Sequence, residues 1–416
     1  MERQMVRFGV VGVKGFSQRH IEWINRAAKT GAAVRLGAAA TIFDDPESLA
    51  VGEELARSGV RVVKDYQDLL NLGGELDMIT LPVGIHLHAP LAVQALDAGF
   101  PVYMEKPAAG TVDEVVELAE AEKRSGCRLF VGFQTLYQPS TWLLKEKLRA
   151  GMIGRLEKIV VTVAWPRPMS YYRRNRWAGK LEFAGRPIFD CPMNNSSAHF
   201  LNAALFLAGS EMGASAVPVG VQAELYRAAP IESADSDFSR FSTKEGVEIV
   251  FNASHSCREE KTATLDIIGD KGTVRIHDHA ERILAPWTVL DGKGGSRSEG
   301  GETAPVEVFE RVAAAFLDPG IREVCTLANA GMHTAANQMA FQAAKIHDIP
   351  EERLERIPFD GDDELVAVAG MNEALETLRQ GGTLPGEADL PWAQAGGRLD
   401  GEAAAGLASR VLAAVR

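Results

Sequence analysis

The sequence predicts an α/β protein in which a doubly wound parallel sheet precedes a second α/β domain with a large open, mostly antiparallel sheet. Three observations predict this class. The chain has 416 residues, which is more than one hydrophobic core usually supports. Strands and helices alternate over roughly the first 130 residues, as in parallel sheets. Beyond residue 156, apolar residues recur at every second position in several segments, which is typical of antiparallel neighbours.

The first domain, residues 1–135, begins with a buried strand at 7–12, a glycine-containing turn and a helix from 18 to about 28. A capping box, Thr111-x-x-Glu114, opens the helix that ends at residue 125. The other predicted strands are at 34–41, 61–63, 78–81, from 102, and at 129–132, and the other predicted helices are at 46–57, 65–72 and 88–98.

The turn after the first strand is a candidate dinucleotide site, because a strand, a glycine turn and a helix place a pyrophosphate at the helix N-terminus. Gly12 fits the first glycine of that fingerprint, but Lys14 and Ser17 take the second and third positions. Lys14 could turn its ammonium toward a phosphate, and Ser17 could instead cap the helix. The candidate cofactor contacts here are Gly12, Lys14, Gly15, Phe16, Ser17 and, ending the second strand, Thr41.

An acid that binds the adenosine ribose is expected directly after the second strand. Asp44 and Asp45 arrive a residue or more late, which leaves the choice between NAD and NADP open. The simpler explanation is that both acids open the following helix, where negative charge suits the helix dipole.

Lys106 ends the strand that begins at Val102, since Pro107 cannot donate to a central ladder. Strand ends of open α/β sheets line the ligand crevice, and a partly buried lysine there can transfer a proton or orient a substrate. The alternative is a surface lysine beside a turn. Gly12, Pro82 and Lys106 each follow a strand, so the predicted sheet brings all three to one edge, which favours a site.

Two segments of the second half carry further candidates. Residues 165–177 combine aromatic rings with arginines, which suits a hydroxylated ligand that carries a carboxylate or phosphate; a loop anchored by its rings is the alternative. Residues 190–199 form a dense polar run, and His199 opens an apolar helix that extends to residue 208. The candidate substrate contacts are Trp165, Tyr172, Arg174, Trp177 and Asn194.

Several motifs follow one another along the first domain: Gly12 and Gly15, Pro82 with His86, Ala98-Gly99, Glu105-Lys106-Pro107 and the run Val131-Gly132-Phe133-Gln134. In this order and spacing they resemble the Gfo/Idh/MocA oxidoreductase family. The resemblance implies a nucleotide-binding domain followed by an α/β domain whose open sheet covers the active site. It also implies NAD or NADP as the cofactor, with NAD slightly favoured, and places Pro82, His86, Glu105 and Gln134 at the cofactor site.

The resemblance also implies a catalytic set. His199 matches the histidine that shuttles the substrate hydroxyl proton near the lysine of the Glu-Lys-Pro motif. Many members carry an aspartate four residues before that histidine, where this chain has Asn195. An amide orients a hydroxyl but cannot accept a proton, so His199 and Lys106 are expected to carry out the proton transfer.

The second domain is expected at residues 136–383, with a C-terminal extension at 384–416. A large sheet with one face on helices and one face left to bury predicts a homo-oligomer, either a dimer or a tetramer. Residues 292–301 are expected to form a mobile loop, and residues 385–397 are loop-like. Strands are predicted at 156–164, 221–226, 238–243, 247–253, 263–268 and 273–276, and helices at 306–317, 327–346, 363–379 and 401–415.

Composition limits the partners. The net charge of -12 predicts no binding to nucleic acid or to an anionic membrane. The four cysteines lie far apart without metal-ligand spacing, which predicts reduced thiols in the cytoplasm and no metal site. The N-terminus lacks an apolar signal region, and no run of 18 apolar residues occurs.

Three functions follow. The leading hypothesis is an NAD(P)-dependent oxidoreductase that moves a hydride between the nicotinamide and a secondary hydroxyl of a sugar, polyol or sugar acid. A redox-neutral lyase or glycosidase could use the same residues by oxidising a sugar transiently. A non-catalytic sugar or nucleotide sensor is the third hypothesis, since a fold does not imply a function.

Overall fold

The computed structural model describes residues 4–42, 45–278, 284–291, 293–301 and 304–416. The first sheet contains β1 (Val6–Val11), β2 (Val34–Ala40), β3 (Arg61–Val63), β4 (Met78–Leu81), β5 (Val102–Met104) and β6 (Leu129–Val131). The helices that alternate with these strands are α1 (Phe16–Lys29), α2 (Pro46–Arg57), α3 (Tyr66–Leu70), α4 (Ile85–Asp97) and α5 (Val112–Ser125).

All six strands of the first sheet pair in parallel, in the order β3-β2-β1-β4-β5-β6. This is the strand order of dinucleotide-binding folds, and it confirms the predicted doubly wound sheet. The central strands β4 and β5 are buried along their whole length, because helices cover both faces. Their carboxyl ends therefore open together at one edge of the sheet.

The rest of the chain adds a mixed ten-stranded sheet. Its helices are α6 (Pro139–Arg149), α7 (Met169–Arg173), α8 (Ala198–Ala208), α9 (Val308–Leu317), α10 (Leu327–Ala343), α11 (Met371–Gly381) and α12 (Gly401–Val415). The strands of this part are β7 (Leu156–Ala164), β8 (Glu182–Phe183), β9 (Arg186–Pro187), β10 (Pro218–Arg227), β11 (Ser236–Thr243), β12 (Glu248–Ser254), β13 (Lys261–Gly269), β14 (Gly272–Asp278), β15 (Trp287–Asp291), β16 (Ser296–Glu299), β17 (Ile346–Asp348), β18 (Leu354–Phe359), β19 (Asp363–Val368) and β20 (Gly397–Leu399).

The strand order of the large sheet is β16-β15-β14-β13-β7-β12-β11-β10-β17, and β20 also pairs with β10. Only the β7–β12 and β10–β17 pairs are parallel, so the prediction of a mostly antiparallel sheet is confirmed. We call the face that packs on α8, α10 and α12 the inner face. The opposite face is the outer face.

The outer face is covered by the chain itself over much of its width. Apolar residues of β7, β10, β11 and β12 pack there against α11, Leu384 and Trp392. Arg379 of α11 donates to Asp266 of β13 at 2.6 Å, and Arg240 of β11 pairs with Glu387. An uncovered face was the reason to expect a homo-oligomer, so that reason does not hold for this part of the sheet.

Three predictions about the second half need correction. Residues 363–379 are not one helix, because the buried run Leu365 to Val368 pairs with β18 as β19, and Gly370 then separates it from α11. Helix α10 ends at Ala343, before β17. In the expected mobile loop 292–301, β16 pairs with β15, while residue 292 lies outside the described residues. The segment 385–397 is loop-like over most of its length, as predicted, and its last residue begins β20.

The predicted C-terminal extension, residues 384–416, is integrated with both sheets. β20 joins the large sheet beside β10, and α12 packs against α10 and against α5 of the first domain. Arg410 of α12 forms an ion pair with Asp113 of α5. None of the described helices is both long and apolar enough to cross a bilayer.

Candidate active site

Glu105 and Lys106 directly follow β5, as expected. A buried network holds Glu105: His20 of α1 contacts its Oε1 through Nε2 at 3.0 Å, and Gln134 donates to the same oxygen at 3.1 Å. His20 Nδ1 lies 2.5 Å from the hydroxyl of Thr80, at the end of β4. Because a carboxylate only accepts, this arrangement requires the Nε2–H tautomer of His20. The network ties α1, β4 and β5 together beneath Lys106.

Lys106 meets the second domain at Asn195. Its Nζ donates to the backbone oxygen of Asn195 at 2.6 Å and to its Oδ1 at 2.9 Å. The Asn195 Nδ2 in turn donates to Asp190 at 2.6 Å. Asp190 is 4% exposed and also accepts from the backbone N–H of Gly179. Burial raises the pKa of Asp190, and the nearby Arg174, the two donors and Lys106 oppose that effect.

These side chains lie in a cleft of about 450 Å³ between the two domains. Residues from the glycine turn, the β4–α4 loop and the second domain contribute to its walls. The lining residues are Gly15, Phe16, Val83, Ile85, Glu105, Lys106, Arg174, Asn175, Trp177 and Asn195. Lys106 of the first domain therefore meets the 190–199 segment at Asn195, a residue of the predicted catalytic set.

The glycine turn fits a dinucleotide. Gly12 adopts a φ of 89°, and a Cβ there would lie 2.5 Å from Ser17 Oγ, so a side chain is excluded. Gly15 is the N-cap of α1, whose first turn contains no acidic residue. The helix N-terminus is therefore open to a phosphate and free of opposing charge. The prediction that Ser17 caps the helix is wrong, since Ser17 lies inside α1 and its hydroxyl donates to the carbonyl of Val11.

Lys14 pairs with an acid at the end of the β2–α2 loop. Its Nζ lies 2.7 Å from Asp45 Oδ2, and Asp45 also caps α2 by accepting from the N–H of Ser48. The Lys14 ammonium is the largest cause that holds the Asp45 pKa below its usual range. The expectation that Asp45 opens a helix is thus met, while Asp44 lies outside the described residues. Thr41 is buried beside the carbonyls of Val63 and Lys64.

Aromatic and guanidinium groups form the second-domain wall. Arg174 stacks on the Tyr171 ring at 3.7 Å and lies 5.4 Å from the ring centre of Trp177. Trp177 approaches the loop after β4 so closely that a Cβ on Gly84 would lie 2.8 Å from its Nε1. Only glycine lets these two loops meet at this distance. The His86 ring packs edge-on against Phe183 at 4.8 Å, and burial lowers its pKa.

The remaining predicted residues do not line the cleft. His199 is 2% exposed in the first turn of α8, where its ring packs edge-on against Phe133 at 5.7 Å. Asn194 is fully buried and donates to the carbonyl of Ile188. Trp165 packs against Phe200. Gln134 lies beneath Glu105, and Pro82 immediately precedes Val83 of the cleft wall.

Sequence reasoning missed His255. Its Nε2 lies 2.5 Å from the Ser196 hydroxyl, and its Nδ1 lies 3.1 Å from the hydroxyl of Tyr172, a predicted substrate contact. Burial and two nearby arginines lower the pKa of His255 well below its usual value. No local motif surrounds this histidine, which follows β12 far along the chain from Tyr172 and Ser196. Among the described residues, no cluster of three or more histidine, cysteine or acidic side chains is arranged to hold a metal ion.

Comparisons with known proteins agree with this architecture. A model described as "Oxidoreductase family, NAD-binding Rossmann fold" matches residues 6–133, and the "GFO/IDH/MocA C-terminal domain" matches residues 142–275. Inositol 2-dehydrogenase 2 of Saccharopolyspora erythraea is 32% identical over 151 residues, which are 36% of this chain and 42% of that protein. Inositol 2-dehydrogenase 3 of the same organism is 25% identical over 67% of this chain and 75% of its own length. This chain thus spans less than half of the first of these relatives.

Solved structures share the fold. The WlbA dehydrogenase from Bordetella pertussis, in complex with NADH and UDP-GlcNAcA, has a TM-score of 0.67 and 23% identity over 82% of this chain and 96% of its own. Levoglucosan dehydrogenase in complex with NADH has a TM-score of 0.66 and 18% identity over the same shares. The family matches confirm the predicted resemblance and the NAD-binding Rossmann fold of the first domain. On these two matched domains, the chain belongs to the Gfo/Idh/MocA family.

Proposed function

We propose that this protein is a dehydrogenase that oxidises a secondary hydroxyl of a sugar, polyol or sugar acid with NAD(P) as the hydride acceptor. The observation that carries the proposal is the contact of Lys106 with Asn195, which brings the strand-end amine of the nucleotide-binding domain to the second domain inside one cleft. Such a meeting point between domains is where small-molecule sites usually form.

The chain's own residues suit the cofactor. The open N-terminus of α1 would hold the pyrophosphate, with Gly12 and Gly15 letting the backbone approach it. When bound, the nicotinamide supplies the hydride acceptor. The Asp45 carboxylate is offset by its ion pair with Lys14, so NAD and NADP are distinguished by assaying both cofactors.

The proton chemistry is assigned to two side chains. Lys106 polarises the substrate oxygen from its place in the cleft wall, and His199 receives the hydroxyl proton. Support for His199 comes from its position in the first turn of α8, four residues beyond Asn195 in the chain. Because the His199 ring is nearly fully buried, this assignment needs a direct test: His199→Asn should lower kcat by about 10²-fold or more at saturating substrate.

The substrate class follows from the second-domain wall. Trp177 and Arg174 border the cleft, and Arg174 lies 3.9 Å from its nearest carboxylate, that of Asp190. Aromatic faces suit the C–H faces of a sugar ring, and a guanidinium suits a carboxylate on it. Relatives named for inositol and a structural neighbour bound to UDP-GlcNAcA point to hydroxylated rings of this kind.

The test is a panel of polyols, sugars and sugar acids, assayed with NAD and with NADP by absorbance of the reduced nicotinamide. A dehydrogenase accumulates reduced cofactor with one class of substrate. A redox-neutral lyase or glycosidase would convert substrate without net reduction, which product analysis detects. Cofactor binding with neither reduction nor conversion would indicate a sensor instead.

Assembly and location are also proposed. A dimer or tetramer finds support at the edge strand β16, because in the described part of the chain no strand pairs with its outer side and a second copy could extend the sheet. The four cysteines, which are free thiols, support a cytoplasmic location. Light scattering coupled to size-exclusion chromatography measures the number of subunits.

A further inference from the structure

Asp190 stands outside the cleft wall, yet it is linked to Lys106 through a single side chain. We propose that Asp190 is a positioning residue that orients Lys106 and balances its charge through the amide of Asn195. The proposal deepens the dehydrogenase function above and rests on it for its catalytic consequence. The link itself consists of two hydrogen bonds, Lys106 to Asn195 and Asn195 to Asp190.

The chemistry of the two ends fixes the direction of the bridge. A lysine ammonium only donates, and a carboxylate only accepts, so the Asn195 amide must present its oxygen to Lys106 and its NH₂ to Asp190. With the bridge fixed in this way, the amide dipole points its negative end toward the ammonium. The Asp190 carboxylate polarises the amide further, because hydrogen bonds in a chain strengthen one another.

Both oxygens of the Asp190 carboxylate are fixed by hydrogen bonds. Its second oxygen accepts the N–H of Gly179 at 2.6 Å, so both oxygens are held and the carboxyl cannot rotate away. Arg174 approaches the same oxygen to 3.9 Å, beyond hydrogen-bond distance, and its charge lowers the pKa of Asp190 more than the charge of Lys106 does. A carboxylate buried to this degree is costly unless nearby positive charge offsets it. Lys106 and Arg174 supply that charge.

Asn195 occupies the place where many members of the resembling family carry an aspartate. Here the negative charge stands one side chain further back, at Asp190, and the amide transmits it. The exchange of these two side chains, Asp190→Asn with Asn195→Asp, therefore tests the idea with every hydrogen bond retained. The amide placed at position 190 would still accept from Gly179 and would donate to the carboxylate placed at position 195, whose other oxygen would accept from Lys106.

Other charged or titratable groups also lie near Lys106, and they must be considered when the Asp190 charge is removed. They are Glu105 beside it, His88 on α4, His333 on α10 and Arg174 after α7. Burial lowers the pKa of both histidines to about 4, so both are neutral near pH 7. Asp190 is then the carboxylate of the second domain that is hydrogen-bonded to the bridge.

The experiment measures the pKa of Lys106 without any substrate. The full-length protein is prepared with ¹³C-labelled lysine and its lysine side-chain signals are titrated by NMR, with Lys106→Met identifying the Lys106 signal. We expect the Lys106 pKa to fall by about one unit in Asp190→Asn, because a nearby opposite charge is removed, and to lie above the native value in the exchanged double variant. The control Asp235→Asn removes a buried carboxyl that holds Ala228 and Ala229 instead, and should leave the Lys106 signal in place.

An unchanged Lys106 pKa in Asp190→Asn would overturn the proposal, as would equal values in the native protein and the double variant. If Asp190→Asn does not fold, the Lys106 pKa of the native protein and that of the double variant still test the proposal. With an active substrate in hand, Asp190→Asn should lower kcat by about tenfold or more, and the double variant should recover most of that loss. Failure to find any substrate would count against the dehydrogenase function alone, since the titration does not depend on turnover.

Discussion

The two loops that meet in the cleft are held in place by different means. Lys106 lies two residues beyond β5, a buried central strand, and the neighbouring Glu105 accepts from two other elements. Asn195 lies in a run of turns, residues 190–197, with no strand beneath it. That run is fixed by separate tethers: Asp237 accepts the N–H of Met193, and Asn194 reaches back to Ile188.

The two loops are expected to respond differently when one supporting contact is lost. A strand end is positioned by the whole sheet, so losing one supporting side chain leaves it nearly in place. A loop held by side-chain hydrogen bonds depends more on each of them, because a buried partner left unsatisfied costs free energy that a shift of the loop can relieve. The nucleotide-binding half therefore supplies a rigid amine, and the second half supplies a partner that depends on its side-chain tethers.

The largest effect is expected from removing the rigid amine itself. Lys106→Met should lower kcat by about 10²–10⁴-fold, since a positioned acid or base contributes about that much, while cofactor affinity changes little. Steady-state kinetics and the fluorescence of bound NADH measure the two quantities. The matched control is Lys180→Met, which removes a lysine of the second domain that pairs with Glu232 at 3.5 Å. Turnover in Lys106→Met close to that of the control would remove Lys106 from the mechanism.

The same contrast explains what the sequence could predict. Lys106 was placed correctly because strand, proline and alternation are local signals, and a parallel sheet brings its strand ends to one edge. The Asp190–Asn195 hydrogen bond could not be predicted, because it forms within one irregular loop whose path no periodic pattern indicates. The His255–Ser196 contact could not be predicted either, because it depends on how distant segments fold against one another. The predicted helix at 363–379 failed for a related reason: β19 is a short apolar run whose pairing with β18 overrides its helical pattern.

The second prediction compares one amide from each side of the cleft. Asn194→Ala removes the donor to Ile188 and should lower kcat/KM by about tenfold, because Asn195 is displaced with the loop. Gln134→Ala removes one donor to Glu105, which keeps His20 and the N–H of Lys106, so a loss of about threefold or less is expected. Kinetics with the same substrate, at saturating cofactor, give both ratios.

Thermal unfolding controls for that comparison. Each variant should lose about 1–3 kcal/mol of stability, since each removes a buried hydrogen bond. Similar stability losses with unequal losses of kcat/KM would confirm that the two loops respond differently. An equal or greater kinetic loss in Gln134→Ala would mean that the strand end also depends on single contacts.

The smallest effect concerns the tether at Asp237 and is visible only as pH dependence. Burial raises the pKa of Asp237 to about 7, whereas an aspartate in the unfolded chain titrates near 3.8. The folded protein therefore binds more protons than the unfolded chain between these values, so this group's contribution to the free energy of unfolding falls as pH rises from about 4 to 7. Asp237→Asn keeps an oxygen that accepts from Met193 but cannot ionise, so its stability should fall less steeply with pH.

Urea unfolding of both proteins at several pH values between 5 and 8 measures this difference. Native stability minus variant stability should decrease with pH, by at most about 1.4 kcal/mol per pH unit, because one proton is involved. The difference reports Asp237 together with Asp235 and Asp190, whose charges raise the Asp237 pKa and which therefore titrate with it. A difference that stays constant across this range would show that Asp237 does not change its ionisation there, and the tether of the second loop would then be independent of pH.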